Sequence, residues 1–265
     1  MTDYIELTNW QVGLAALMIV VSAAASIALR LGLERSLAIA SVRTVAQLIL
    51  IGLVLEWVFG ADRWYVVLLL ALVMTITAGV AAANRVERKY ARLHWDAILA
   101  VWTSSWLTTA YVLLVVLGRG ATWYEPQYLA PLLGMVLGNS LNGISLGVTA
   151  LTESLYTRRG EVETLLALGA TRWEAARAAI QHAVRTGMIP IINAMMIVGI
   201  VSLPGMMTGQ LLSGAAPMDA VKYQIVVMFM IAAATAMGTV GAVLLSYRRL
   251  FNADHQFVAD ALGNR

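Results

Sequence analysis

Seven stretches of this chain stay apolar for roughly 20 residues each, the length of helix that crosses about 30 Å of hydrocarbon at 1.5 Å per residue. They run Trp10–Leu29, Ile39–Phe59, Trp64–Ala83, Ala97–Leu117, Leu129–Leu151, Gly187–Leu203 and Ala220–Ser246. The expectation is an all-α polytopic membrane protein with about seven transmembrane helices, forming one membrane domain over residues 1–265. Of the 265 residues, 60% are hydrophobic and only 12% charged, well outside the range of soluble domains.

The leader MTDYIELTN holds Asp3 and Glu6 but no Lys or Arg. It therefore does not read as a cleavable signal peptide, and the first span is expected to stay. Orientation follows from the basic residues, which are retained in cytoplasmic loops. With the N-terminus outside and the C-terminus inside, 15 of the 18 Lys and Arg residues fall on the inner side, leaving Arg63, Arg119 and Lys222 outside. This asymmetry accounts for the net charge of +3 without a nucleic-acid partner. Cysteine is absent, which excludes disulfides, thiolate metal sites and cysteine nucleophiles.

Most connections are short. The exception is 152–186, TESLYTRRGEVETLLALGATRWEAARAAIQHAVRT, the longest polar stretch, placed in the cytoplasm. Its Ala and Leu content predicts helix. Gly169 is suited to closing one helix in the left-handed conformation, and Thr171-Arg-Trp-Glu174 has the form of a capping box opening another. The segment thus reads as a helix, a corner at Gly169-Ala170, and a second helix entering the sixth span. Val162, Leu165 and Leu166 form an apolar edge that needs the membrane, another part of the protein or a partner to rest against.

No phosphate loop, H-E-x-x-H, G-x-S-x-G or kinase set occurs, so the chain has no means of hydrolysing ATP by itself. Ser104 and Ser105 are adjacent hydroxyls with no base nearby, and His94, His182 and His255 are far apart and read as interfacial polar residues. Polar groups within spans are costly and so informative. Arg43 and Gln47, four apart on one face, either line a cavity for an anionic group or reach the headgroups and a neighbouring helix. In the fifth span, Gly134, Gly138, Gly143 and Gly147 permit close helix approach, while Asn139 and Asn142 add amides suited equally to packing and to a substrate; Pro131 shapes the entry. Ala234, Gly238 and Gly241 present a similar small-residue face in the seventh.

The uncharged stretch VSLPGMMTGQLLSGAAP, from Val201 to Pro217, interrupts the pattern. Pro204-Gly205 does not continue an α-helix comfortably, so the sixth span is expected to bend or stop there, with Met206 and Met207 packing the break. Gly209 and Gly214 keep the stretch mobile before Pro217 and Asp219 begin the next helix. A gate or re-entrant element and a loop dipping into the membrane both fit.

Taken together, SLPGMMTG (Ser202–Gly209), AVKYQIVVMF (Ala220–Phe229), LLALGAT (Leu165–Thr171), Arg43 with Gln47-Leu48, Gly138-Asn139 and YRRLFNADHQ (Tyr247–Gln256) resemble the FetB/YbbM permease family across nearly the whole chain. The resemblance implies a multi-pass permease of the bacterial inner membrane, the membrane component of an ABC-type exporter. A separate cytosolic ATPase would bind ATP and Mg, with no cofactor in this chain, and two permeases would pair with two such subunits. Glu163, Leu165, Leu166, Gly169, Ala170 and Thr171 then correspond to the corner that docks on the ATPase, and Arg43, Gln47, Asn139, Asn142, Pro204, Gly205, Met206 and Met207 to the pathway and gate. Bacterial members are associated with iron export, and plant relatives with aluminium tolerance and a nucleotide sugar. A bare iron ion would want oxygen ligands that the spans do not supply, since Glu56 is the nearest carboxylate; a chelated or anionic species suits Arg43 and the amides better. The competing class is a stand-alone secondary carrier or channel.

Overall fold

The computed structural model describes residues 8–61, 63–118, 125–252 and 256–257; Asp3, Glu6, Arg119, His255 and Arg265 lie outside them. Among the described residues the regular structure is helical: α1 (Asn9–Ala28), α2 (Glu34–Ala61), α3 (Trp64–Arg85), α4 (Leu93–Tyr111), α5 (Pro126–Thr157), α6 (Arg159–Ala167), α7 (Arg172–Ile197), α8 (Gly205–Leu212) and α9 (Pro217–Leu250). Six of these, α1 to α5 and α9, are long and apolar enough to cross a membrane. The protein is an all-helical, membrane-embedded chain.

Two compact units can be distinguished. The first comprises the described residues up to Arg63 with Leu212–Gly214, and the second comprises the rest. The first is built on the hairpin of α1 and α2. Gln11 Oε1 accepts from the Thr8 amide at 2.8 Å and holds the start of α1. The turn between the helices is closed by Ser26, whose hydroxyl accepts from the Leu33 amide at 2.9 Å and donates to Glu34 at 3.1 Å. Both helices are apolar around most of their circumference, and Val42, Val45, Leu48, Ile49 and Trp57 are exposed.

In the second unit α5 is the central helix, touching α3, α4, α6, α7 and α9. In its most apolar 18-residue stretch 56% of the residues are buried. Small residues allow this. A Cβ on Gly143 would come within 2.6 Å of Thr235 Cγ2 and 2.8 Å of Thr239 Oγ1, and one on Gly187 within 2.5 Å of the Gly143 carbonyl oxygen and of Thr239 Cγ2. Thus the backbones of α5 and α7 nearly touch, with the Thr235 and Thr239 side chains of α9 packed against them, the contact that lipid-embedded helices rely on when no hydrophobic force draws them together. Gly147 and Gly238 are nearly as tight, with nearest approaches of 2.8 and 2.9 Å, whereas Gly138 and Gly241 face open space. Between α3 and α4, a Gly79 Cβ would lie 2.6 Å from Ile98, and Trp106 Nε1 donates to Thr75 Oγ1 at 3.0 Å.

One boundary differs from the sequence expectation. The sixth apolar run does not continue to Leu203; α7 ends at Ile197. From Gly187 to Ile197 the helix rises only about 16 Å, well short of the hydrocarbon thickness. The rest of that run is the connection to α8.

Candidate functional site

The corner between α6 and α7 is built from two local rules. At the end of α6 the Ala170 amide donates to Leu165 O and the Gly169 amide to Leu166 O, both at 3.0 Å, with Gly169 at φ +93°. This is the paired closure that a left-handed glycine permits. Two residues on, Thr171 starts α7 as expected: its hydroxyl accepts from the Glu174 amide at 3.3 Å, and Glu174 Oε2 accepts from the Thr171 amide at 2.8 Å. The two helices are therefore joined by a rigid elbow with its backbone groups satisfied. Arg159 pairs with Glu163 at 2.6 Å along the outer face of α6.

Burial divides the apolar edge. Val162 is tucked in at 4% exposure, Leu165 and Leu166 are half-buried, and Leu168 stands out at 80%. Sequence reasoning passed over Leu168, whose only signal is its place immediately before the turning glycine. Trp173, on the first turn of α7, is partly exposed and packs edge-on against Tyr247 of α9 at 5.7 Å. Tyr247 in turn meets Phe251 at 5.4 Å.

The Thr171 amide, and then the Thr171 hydroxyl, hold the Glu174 carboxylate below its ordinary value of 4.5. A depressed carboxylate adds stability above its unfolded value, and that contribution is lost as pH falls through the lowered folded value. Wild type should therefore lose thermal stability relative to Glu174→Gln as the pH drops below about 4.5. Parallel melts followed by tryptophan fluorescence check this; identical pH profiles would remove the role given to Glu174.

The end of α3 and the loop that follows it make a group of polar contacts with α4, α5 and α9 that the sequence did not reveal. Arg85 donates to Asn142 Oδ1, so this amide is engaged within the protein. Arg88 Nε donates to Glu153 at 2.8 Å, and its guanidinium lies 3.6 Å from the centroid of the Tyr156 ring. Tyr90 Oη donates to Asp96 Oδ2 at 3.1 Å and shares a 2.9 Å hydrogen bond with Ser246. Arg249 approaches the same carboxylate at 3.5 Å. Burial pushes the Tyr90 phenol well above its ordinary range, so it stays protonated and able to donate. Tyr90→Phe leaves buried Asp96 and Ser246 short of a partner. Its expected cost of about 1–2 kcal/mol should appear as a lower melting temperature.

The expected pathway residues fall in both units. Arg43 and Gln47 are exposed on α2. Asn139 is exposed on α5, with its amide donating to Met135 O of its own helix at 2.8 Å. His94 meets Asn84 at 3.2 Å and His182 is exposed; among the described residues no His, Cys, Asp and Glu side chains gather as a metal site.

The break lies earlier than Pro204-Gly205. Val198 is extended, Gly199 takes φ +84°, and the Gly199 amide donates to Ser202 O at 2.9 Å. Gly199 supplies the reversal. Pro204 instead precedes α8, its carbonyl accepting from the Thr208 amide at 3.0 Å, and Gly205, Met206 and Met207 form the first turn of α8. Proline is compatible with a helix start, where no amide donor is needed. Beside the break lies a cavity of about 400 Å³, between the end of α7, α8 and the first turns of α9.

These features define a polytopic helical membrane protein with a rigid elbow at one end of α7 and a broken segment at the other. The chain belongs to UPF0014, described as an uncharacterised protein family, whose model matches residues 9–251. It is 40% identical over 217 residues to the UPF0014 membrane protein slr1647 of Synechocystis, covering 82% of this chain and 83% of that one. It is 31% identical over 257 residues to the probable iron export permease protein FetB of Escherichia coli, 97% of each chain. The Arabidopsis protein ALUMINUM SENSITIVE 3 is 31% identical over 243 residues, 91% of this chain and 87% of the plant protein. No solved structure matches.

Proposed function

We propose that this chain is the permease subunit of an ATP-binding-cassette exporter, acting as a pair of copies with two cytosolic ATPase subunits that bind ATP and Mg. The observation that carries the reading is that one continuous helix, α7, holds the capped elbow at its N-terminus and the broken segment at its C-terminus. A displacement imposed on the elbow travels along α7, because helices transmit axial and tilting motion with little internal give. The crossing at Gly187, pressed against Gly143 and Thr239, is the natural fulcrum, and Pro190 removes an internal hydrogen bond just beyond it. Motion at the elbow thus reaches Gly199, where the backbone reverses.

The relative named as an iron export permease supports an iron-linked cargo. The charge pattern favours a chelated or anionic form, with Arg43 and Gln47 of α2 supplying the cation and the amide. Arg43→Ala should lower export several-fold while leaving the melting temperature unchanged, measured as cargo loss from vesicles containing the reconstituted pair. Export at the wild-type rate removes Arg43 from the pathway. A nucleotide sugar is tested in the same assay, and a carrier acting alone is recognised by transport that needs neither ATP nor the second subunit.

A further inference from the structure

The cavity at the break has a specific chemical lining. Its walls are apolar: Val198 and Leu203 from the connection, and Met195, Met207 and Met228 from α7, α8 and α9. The exception is Gln224, which is 6% exposed and whose side-chain carbonyl oxygen is buried with no hydrogen-bond partner among the described residues. Val221, Gln224, Ile225 and Met228 all line it and share one face of α9. Leaving an amide carbonyl buried and unbonded is costly, and native chains rarely do so without a reason. About 400 Å³ lies within the range of small-molecule sites, which combine an apolar wall with few placed polar groups.

We infer that this cavity is a binding site for a neutral amphipathic small molecule, one with a hydrocarbon body and a single hydroxyl or amine that donates to the Gln224 carbonyl once that side chain turns from its buried position toward the cavity. The lining has no charged side chain, so an ion would be desolvated there without a counter-charge. A hard cation would find one side-chain oxygen where it requires several. The three thioethers are flexible and polarizable and adapt to apolar bodies of varied shape. The site goes beyond the exporter reading and does not depend on it, because binding is read on the permease alone. An occupant would lie against Gly199 and the face of α9.

The test uses the full chain in lipid nanodiscs and two photoreactive probes, 3-azioctanol and its hydrocarbon counterpart 3-azioctane, with labelled peptides read by mass spectrometry. In wild type the alcohol should label the segments holding Met195, Met207 and Met228 roughly fivefold more than the alkane, as one net hydrogen bond implies. Gln224→Met, close to glutamine in volume, should abolish that preference while keeping alkane labelling, and Gln224→Leu should repeat the result. Equal labelling by the two probes in wild type overturns the proposal. So does a preference that survives in both variants, or loss of both labels in both variants, since the site would then be read by shape and not by Gln224.

Discussion

Leu168→Asp should abolish ATP-driven export while leaving the permease folded. The side chain is 80% exposed, so its replacement removes little internal contact, and the melting temperature should stay close to that of wild type. At a protein interface, a leucine at the tip of a rigid elbow behaves differently. Truncating such an anchor typically costs 2 kcal/mol or more, and introducing a carboxylate into an apolar cleft adds desolvation. At least a tenfold loss of association follows. Co-purification of the ATPase with the variant, and the ATPase rate of the reconstituted pair, read this directly, with Leu168→Met expected to retain both. An ATPase that still binds Leu168→Asp normally would overturn the docking role of the elbow. If no ATPase associates with wild type either, the reading fails and a stand-alone carrier takes its place.

Gly187→Leu should prevent the protein from accumulating in folded form. Even the first added carbon would sit 2.5 Å from a backbone oxygen of α5 and from Thr239 of α9, so α7 would have to move away from both helices. Overpacking of this kind costs about 1–3 kcal/mol in soluble cores, and more where backbone and not a side-chain tip must yield. Gly143→Leu should behave alike, because the same crossing is approached from the other side. Gly138→Ala and Gly241→Ala, both facing open space, should melt as wild type does. Tryptophan-fluorescence melts on the purified variants decide the matter. A Gly187→Leu protein as stable as wild type would show that α7 does not press on α5 and α9 there.

The same glycines show where sequence reading ends. Gly134, Gly138, Gly143, Gly147, Gly238 and Gly241 all sit in apolar helices at spacings that permit close approach, and nothing local ranks them. Which ones touch depends on how α5, α7 and α9 are rotated against each other, a property of the assembled unit. The amides behave likewise. In the sequence Asn142 suits packing and a substrate equally, and it is Arg85, 57 residues away, that engages it.

The break is instructive because a strong local signal pointed to the wrong residue. Pro204-Gly205 looks like the end of a helix and is the beginning of one, while the reversal belongs to Gly199. Proline is compatible with either role, and nothing in the neighbouring residues says which.

By itself the sequence determined most of the long helices, the membrane class and the elbow. Apolar runs of spanning length, a left-handed glycine and a capping box are local interactions, complete within a few residues. The tertiary structure alone decided the three-helix crossing, the polar contacts of the α3–α4 loop, the exposure of Leu168 and the cavity around Gln224, because each depends on atoms brought together from distant parts of the chain.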